Sequence, residues 1–271
     1  MVIKRVKTEI FQQEYETRGS YPSLFDCSDG NRYVVKHSQQ ERNYRHLINE
    51  FVASQLSQLV NISTPEPAFI EIKQNILPND YKYSSGKPSG LGFGSQFLFG
   101  TVKSVTNVEF IINLTKHKND EIVEDLIKIC AFDIWLRNAD RVINNPNLLV
   151  QEVGKRIRLF AIDHSSIFSE LNYLVIEKEI DELPSVGENL IDGELFSHLY
   201  YRYGLFFGKV KKEICRAILN VSEMDIENII DNIPIEWKIS IEEKKAISNF
   251  INKRKSTVES QFEFLLNEIG L

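Results

Sequence analysis

"NADRVINNPNLLV", residues 138–150, places one aspartate, one arginine and four asparagines directly before three aliphatic residues. Asparagine is a poor helix former and a common turn residue, so a polar surface loop is the simplest interpretation. The alternative is a loop that binds a metal ion and a phosphate, since oxygen atoms of Asp and Asn are suitable ligands for Mg²⁺. The rest of the chain decides between the two.

The bulk composition is that of an ordinary globular protein. The chain has 271 residues, of which 42% are hydrophobic and 26% charged, enough for one large domain or two smaller ones. The net charge of −6 provides no global basic field, which argues against nucleic acid as a partner. The opening MVIKRVKTEI lacks the apolar core of a signal peptide, and no stretch approaches the roughly 20 apolar residues of a membrane span. Three isolated cysteines, Cys27, Cys130 and Cys215, fit a reduced, cytoplasmic setting with no membrane partner.

The first third of the chain is β-prone and carries one helix. Residues 21–36 place short β-prone runs on either side of Asp29-Gly30, a dipeptide that favours a type I′ hairpin turn with positive φ at both central residues. Residues 41–60 have apolar side chains near one helical face and predict an amphipathic helix, which ends before the prolines of 65–67. Residues 68–72 predict a strand.

A long loop is expected next. Residues 75–95 are rich in Gly, Ser, Pro and Asn, and loops of this length are uncommon in compact domains unless they are functional or disordered. SQFLF, residues 95–99, predicts a strand, and Gly100 is a natural hinge.

The remainder is mostly helical. Apolar side chains at three- and four-residue steps predict a helix over 121–138, and the patterns of the last eighty residues predict further helices over 194–219, 223–231 and 240–268. Two strands, NLLVQEV and RIRLFAI, flank a tight turn at Gly154-Lys155, and the second ends at Asp163. The order predicts an α+β protein with two lobes.

Several polar residues in this order match the needs of phosphoryl transfer from ATP. Lys36 ends a hairpin strand, Glu50 lies on the following helix, Asp140 lies in the polar loop, and Asp163 follows the second hairpin. In such chemistry a lysine contacts the phosphates, an acidic residue holds that lysine, one aspartate orients the attacking hydroxyl, and a second aspartate binds Mg²⁺ with an asparagine. Taken singly, each of these residues could equally lie at the surface or cap a turn. Their order along the chain favours a phosphoryl-transfer site.

The same stretches resemble a known family. "RGSYPSLFDCSDGNRYVVK", "INEFVASQLSQL", "FGSQFL", "FDIWLRNADRVINNPNLLV" and "LFAIDHSSIF", spanning about residues 18–170, are similar to HipA-like kinases of the compact type without an extra N-terminal subdomain. The resemblance implies a two-lobed protein-kinase-like fold. Its β-rich nucleotide-binding lobe would span 1–100, and its mostly α-helical catalytic lobe 101–271. It also implies Mg-ATP binding and transfer of phosphate to a hydroxyl, often Ser or Thr of a protein. The acceptor could include a residue of this chain itself: Ser20, Ser23 or a residue of the 75–95 loop.

The resulting site assigns a role to each residue. Lys36 is expected to contact the α- and β-phosphates and Glu50 to brace it, while Asp140 acts as the base. The metal ligands are expected to be Asp163 with Asn147 or Asn145, and Ser20 could reach the phosphates. Arg141 could neutralise phosphate charge or form a structural salt bridge. The order of elements places adenine against the segment Gln96, Phe97, Leu98, Phe99 and Gly100.

One departure from the family pattern leaves alternatives open. Related loops often carry a His after the Asp-Arg pair, whereas Val142 and Ile143 occupy that space here. This puts a proton relay beyond Asp140 in doubt. A small-molecule phosphotransferase would use the same residues, and a nucleotide-binding or pseudokinase interaction module would work through a regulatory protein partner.

Overall fold

A computed structural model describes residues 3–15, 22–37, 44–79, 81, 89–116, 119–154, 156–168, 172–185, 187, 189–191 and 193–271. Within these ranges the chain forms a closed five-stranded barrel, a three-stranded sheet and a set of helices. No helix in the described part of the chain is long and apolar enough to cross a membrane.

The N-terminal part is the barrel, with strand order β1-β2-β3-β5-β4. Strands β1 and β4 close it as a parallel pair, and the other neighbours are antiparallel. The helix α1, Arg45–Leu59, connects β3 to β4. The strands are β1 (Arg5–Glu14), β2 (Ser23–Cys27), β3 (Arg32–Lys36), β4 (Pro67–Ile72) and β5 (Gly90–Gln96).

The β2–β3 hairpin is confirmed, but its turn is not the expected type I′. Gly30 has a φ of +77°, whereas Asp29 is not among the described residues with positive φ. The Gly30 N–H donates to Cys27 O, and the Asn31 N–H donates to the Asp29 carboxylate at 3.1 Å. A three-residue loop with glycine at its left-handed position needs positive φ only once, so Asp29 keeps an ordinary backbone conformation.

The expected loop over 75–95 and the expected strand over 95–99 are both wrong in their bounds, because β5 runs from Gly90 to Gln96. Two of its glycines, Gly92 and Gly94, are required by close packing against neighbouring residues. A Cβ at Gly92 would lie 2.6 Å from Lys36 O, and one at Gly94 would lie 2.6 Å from Ile70 Cγ1. The glycine-rich composition of residues 90–96, which is typical of a loop, therefore belongs to a strand that packs closely against neighbouring strands.

The helix α1 is buried all round rather than amphipathic. Every residue from Leu47 to Ser57 is buried, including the polar Asn49 and Glu50. The helix packs between the barrel strand β5 and the C-terminal helical region, so both of its faces are covered. Polar side chains on a buried helix must find partners, and those partners turn out to define the site.

The rest of the chain is helical around the β6-β7-β8 sheet. Strands β1 and β6 and helix α2 had no sequence prediction, and the expected helix over 240–268 is two helices that break at 255–257. The sheet strands are β6 (Thr101–Ser104), β7 (Leu148–Val153) and β8 (Arg156–Ala161). The helices are α2 (Val108–Thr115), α3 (Asp120–Leu136), α4 (Gly193–Leu219), α5 (Glu223–Asp231), α6 (Ile241–Arg254) and α7 (Val258–Glu268).

Two buried side chains connect the C-terminal helices to the rest of the structure. Trp237 donates its indole N–H to Leu91 O at 2.9 Å and packs edge-on against Phe51 and Phe69. Arg254 is only 1% exposed and donates to the last carbonyls of α3, including Trp135 O at 3.0 Å. Within KRK, residues 253–255, Lys253 is exposed and Lys255 is partly buried, so the run is only in part the solvated face that its charge indicates.

His37, directly after the site lysine, is a buried neutral imidazole. Its Nε2 lies 3.2 Å from the Tyr81 hydroxyl, which also bonds Ser23 Oγ at 2.9 Å. Burial lowers the pKa of His37 to about 4, from the ordinary value of 6.5. The barrel therefore folds around a group that the unfolded chain protonates more readily.

Replacing His37 with Gln should flatten the acid side of the stability profile. Since the folded-state pKa lies below the unfolded one, stability present above pH 6.5 is lost as the pH falls towards 4. Between pH 7 and pH 5 this group accounts for a loss of about 2 kcal/mol in the free energy of unfolding. Urea unfolding of both proteins at the two pH values measures the difference. Identical pH slopes in wild type and His37→Gln would contradict the assignment.

Candidate active site

The centre of the site is one lysine bonded to two carboxylates from different parts of the chain. Lys36 Nζ, at the end of β3, lies 2.6 Å from Glu50 Oε1 on α1 and 2.7 Å from Asp163 Oδ1 after β8. The Lys36 side chain is 14% exposed and that of Glu50 only 6%. The structure therefore brings together three residues that the sequence order selected, across 127 positions of chain.

Burial and charge act in opposite directions on this triad. Burial alone would lower the pKa of Lys36, but the carboxylates of Asp163 and Glu50 more than offset it and hold that pKa above its ordinary value. Burial likewise opposes ionisation of Asp163, yet Lys36 and Ser165 keep the pKa of that carboxyl below its usual range. Burial raises the pKa of Glu50 in spite of Lys36. Asp163 is thus the firmly ionised partner.

Asp163 sits in a left-handed backbone conformation, with φ of +56°. Asp tolerates this region better than most residues because its side chain bonds the local backbone. Here Asp163 Oδ1 accepts the Ser165 hydroxyl at 2.6 Å and, more weakly, the Ser165 N–H at 3.4 Å. These bonds and the one from Lys36 all fall on Oδ1. None of them uses Oδ2, which remains suited to a ligand.

Asp140 is held in the loop between α3 and β7 by two asparagines. The Asn145 amide donates to Asp140 Oδ1 at 3.0 Å and to its main-chain oxygen at 3.2 Å, and the Asn147 amide donates to Oδ2 at 3.3 Å. Asn145 is exposed in a tight turn with Val142. Asn147 is half-buried, and its carbonyl accepts the Ile162 N–H at 3.0 Å, next to Asp163.

Arg141 is a structural clasp, which resolves the alternative left open by the sequence. Its side chain is fully buried and its Nε donates to Asp133 Oδ2 at 2.8 Å. Its Nη1 donates to the carbonyls of Asn147, at 2.5 Å, and Ile162, at 3.0 Å. The guanidinium therefore joins the Asp140 loop to the segment before Asp163.

The segment expected to contact adenine begins at Gln96, the last residue of β5. Gln96 pairs with Tyr33, three residues along β3 from Lys36, or about 10 Å. The Gln96 amide donates to Asn31 at 3.1 Å, and the Phe97 N–H donates to Arg32 O at 2.8 Å. The rings of Phe97 and Phe99 pack edge-on against each other. Leu98 is partly buried, whereas Phe99 is 60% exposed.

Two serines proposed for phosphate chemistry have different outcomes. Ser20 lies outside the described residues. Ser23 is fully buried and its hydroxyl bonds Tyr81, so it is not accessible to a phosphate donor in this structure.

The described residues contain no cluster of three His, Cys, Asp or Glu side chains that could hold a metal ion. This donor set nevertheless fits a metal that arrives with a nucleotide. Mg²⁺ keeps several waters and is bound through one or two carboxylates together with substrate phosphates, rather than by an all-protein cage. The unused Oδ2 of Asp163 and the neighbouring Asn147 amide fit that requirement.

Sequence reasoning missed several residues that hold the site together. Asp133 anchors Arg141 and also accepts the Asn138 amide at 2.9 Å. Asn49, beside Glu50, is buried and bonds the segment after Asp163. The available signal was a polar residue inside an apolar helix, Asp133 in "FDIWL" and Asn49 in "INEF". Such residues need buried partners, but the sequence does not say which.

The barrel lysine held by a helix glutamate, followed by a polar Asp loop and a second Asp after a hairpin, defines a kinase-like protein. The chain belongs to the HipA-like kinase family, because the model of that family matches residues 8–182, more than half of the chain. This confirms the resemblance found in the sequence. No curated protein matches the chain at a significant level.

Solved structures show the same fold. The crystal structure of a Helicobacter pylori proinflammatory kinase, CtkA, matches with a TM-score of 0.61 and 16% identity over 98% of this chain and 99% of that chain. Hydra Fam20, solved with a sugar, matches with a TM-score of 0.54 and 13% identity over 98% and 86% of the two chains. Shewanella oneidensis MR-1 HipA, solved with HipB and operator DNA, matches with a TM-score of 0.52 and 11% identity over 94% and 68%. At these identities the likeness establishes a kinase-like fold, with a sheet-containing N-terminal region and a helical C-terminal region.

Removing the Arg141 clasp should strongly destabilise the fold. Arg141→Met leaves the Asp133 carboxylate buried without its cation, which costs about 3 kcal/mol or more in the free energy of unfolding. Arg156→Met is the matched control, because Arg156 makes a 3.6 Å pair with Glu121 at the surface; its effect should stay within about 0.5 kcal/mol. Chemical denaturation measures both, and equal stabilities would refute the structural role.

Proposed function

We propose that the protein is an ATP- and Mg²⁺-dependent kinase that transfers the γ-phosphate to a hydroxyl, with Ser or Thr of a protein as the acceptor. The observation that carries the proposal is the buried contact of Lys36 with both Glu50 and Asp163. A lysine paired with a helix glutamate and placed beside a metal-binding aspartate is the arrangement that phosphoryl transfer requires.

Lys36 binds the α- and β-phosphates in this proposal. Glu50 holds the ammonium from α1, so the charge stays in position when phosphate oxygens replace Asp163 as its second partner. The Asp163 carboxylate would then be available to hold Mg²⁺. Mg²⁺ would be held by Asp163 and Asn147, with Asn145 as the alternative amide, and would supply charge neutralisation around the phosphates.

Asn147 is the better-supported amide ligand. Its carbonyl bonds the Ile162 N–H, one residue before Asp163, while Asn145 lies in the exposed turn with Val142. Arg141 holds the carbonyls of both Asn147 and Ile162. This clasp keeps the two proposed metal-binding residues on adjacent, tied segments.

Asp140 orients the acceptor hydroxyl and takes its proton. Its carboxylate is only partly buried, and both oxygens accept bonds from asparagine amides, which fix its direction while leaving it reachable. Val142 and Ile143 offer no second proton carrier in this loop. The proposed proton transfer therefore goes directly from the hydroxyl to Asp140.

We propose that the boundary between the two lobes lies at residue 100. Residues 1–100 contain the barrel, Lys36 and the Gln96–Phe99 segment and would form the nucleotide-binding lobe. Residues 101–271 contain Asp140 and Asp163 and would form the catalytic lobe. Strand β6 starts at Thr101 and pairs with β7 of the three-stranded sheet, which supports a boundary there.

Nucleotide binding should depend on Lys36. Wild type at about 100 times the dissociation constant of Mg-ATP should gain roughly 2.7 kcal/mol of stability, measured by thermal shift. Lys36→Met removes the phosphate contact and should lose most of that gain. Lys244→Met, at a surface pair with Asp231, is the matched control and should keep it. Equal stabilisation of Lys36→Met and wild type by Mg-ATP would rule out the assigned contact.

The two aspartates should fail in different ways when each is changed to Asn. Asp140→Asn should bind Mg-ATP almost normally yet lose phosphotransfer by a factor on the order of 10² or more, the usual range for a positioned base. Asp163→Asn should lose activity because nucleotide binding no longer responds to added Mg²⁺. Calorimetry with and without Mg²⁺, together with phosphotransfer to candidate acceptors, measures both. The reverse pattern would exchange the roles.

The same acceptor screen distinguishes a protein kinase from a small-molecule phosphotransferase. Proteins with Ser or Thr, including this chain itself, form one set, and hydroxyl-bearing small molecules form the other. Wild-type binding of Mg-ATP without transfer to either set, or to water, would identify a nucleotide-binding module and overturn the kinase proposal.

A further inference from the structure

Asn49 makes an unusual set of contacts for a helix residue. It is fully buried on α1, and its amide nitrogen donates to Ser165 O at 2.7 Å and to Ile167 O at 3.1 Å. Both acceptors belong to the segment that directly follows Asp163. A single side chain of α1 thus holds two main-chain carbonyls more than 110 residues away in the sequence.

The orientation of the Asn49 amide is set by a third partner. The Tyr173 hydroxyl donates to Asn49 Oδ1 at 2.7 Å and lies 3.0 Å from the Arg45 carbonyl, one helical turn earlier on α1. Tyr173 is itself fully buried. Because the Tyr173 hydroxyl donates to its oxygen, the Asn49 side chain directs its NH₂ group at the two carbonyls, so both of its N–H donors are satisfied.

The next residue of α1 holds the same segment from a second point. Glu50 accepts the main-chain N–H of His164 while it binds Lys36. On the other side, the Phe168 N–H donates to Leu136 O at 2.7 Å, at the end of α3. The segment from His164 to Phe168 is therefore fixed between α1 and α3.

Ser165 connects this scaffold to the reactive carboxylate. Its carbonyl is held by Asn49, while its hydroxyl and N–H both bond Asp163 Oδ1, at 2.6 and 3.4 Å. A displacement of Ser165 would therefore turn the Asp163 side chain, including the Oδ2 atom proposed to bind the metal. Mg²⁺ demands nearly ideal octahedral geometry, so a small rotation of a ligand weakens binding.

We propose that Asn49 is a positioning residue for metal-dependent nucleotide binding, acting on Asp163 through the Ser165 backbone with Tyr173 as its orienting partner. This role rests on the proposed kinase function. It makes α1 the carrier of two separate tasks: Glu50 positions the lysine, and Asn49 positions the metal-binding aspartate. Metal sites depend on such outer partners for roughly 10- to 100-fold in affinity or activity.

The main test variant removes the two N–H donors of Asn49 without changing the size of the side chain. Asn49→Asp keeps an acceptor for Tyr173 but replaces the amide nitrogen by a carboxylate oxygen, which cannot donate to the carbonyls of Ser165 and Ile167. Tyr173→Phe is the milder second variant, since it removes only the hydroxyl that orients the amide. Ser57→Ala is the control, because Ser57 is a fully buried polar residue of the same helix that bonds Ser54 O and Thr64 instead.

Calorimetry at fixed ATP measures the Mg²⁺ concentration that half-saturates nucleotide binding, and a second series measures ATP without metal. Asn49→Asp should raise the Mg²⁺ requirement about tenfold or more, and Tyr173→Phe should shift it in the same direction by less, with metal-free binding unchanged. Hydrogen exchange without nucleotide should show faster exchange at Phe168, whose N–H bonds Leu136. Ser57→Ala should match wild type in every series.

Each outcome separates this role from the kinase function. If Asn49→Asp folds but keeps the wild-type Mg²⁺ requirement, Asn49 is only structural and the inference fails while the kinase proposal stands. If Asn49→Asp does not fold, Tyr173→Phe decides alone, and an unchanged requirement overturns the role. If wild type itself shows no Mg²⁺-dependent ATP binding, the kinase proposal fails, and the positioning role fails with it.

Discussion

The structure depends on a buried ammonium group shared by two carboxylates. Removing such charges from water is costly, and the cost is offset only when all the partners are in place with good geometry. Lys36 comes from the barrel, Glu50 from α1 and Asp163 from the turn after β8, so the contact forms only when these three elements have assembled. The site is therefore a product of the tertiary fold rather than of any local motif.

A second buried ion pair gives the Asp140 loop the same dependence on the whole fold. Arg141 pairs with Asp133 on α3 and also satisfies carbonyls before β7 and after β8. Buried main-chain carbonyls in an irregular loop need donors, and one guanidinium supplies them to three carbonyls on two segments of the chain. The loop thereby keeps a defined shape without forming a helix or a sheet.

The sequence predicted the convergence of Lys36, Glu50 and Asp163 because a kinase-like order of elements brings these three side chains to one site. It could not predict the extent of β5. Gly92 and Gly94 are needed because neighbouring strands lie too close for a Cβ atom, and amino-acid composition carries no information about such contacts. The burial of Arg254 was hidden for a similar reason: its carbonyl partners lie about 120 residues away. Hydrophobic periodicity predicts which face of a helix or strand is buried. The hydrogen-bond partners of buried polar groups can be identified only from the assembled structure.

The backbone at Asp163 has an evolutionary consequence. With φ of +56°, the position suits Asp, Asn and Gly, whereas most other side chains add strain there. Of these three residue types, only Asp also supplies the second carboxylate of the buried Lys36 contact. Asn or Gly would keep the turn but would leave the Lys36 ammonium with Glu50 as its remaining carboxylate partner. Two independent requirements, one on the backbone and one on the charge, therefore restrict this position to Asp.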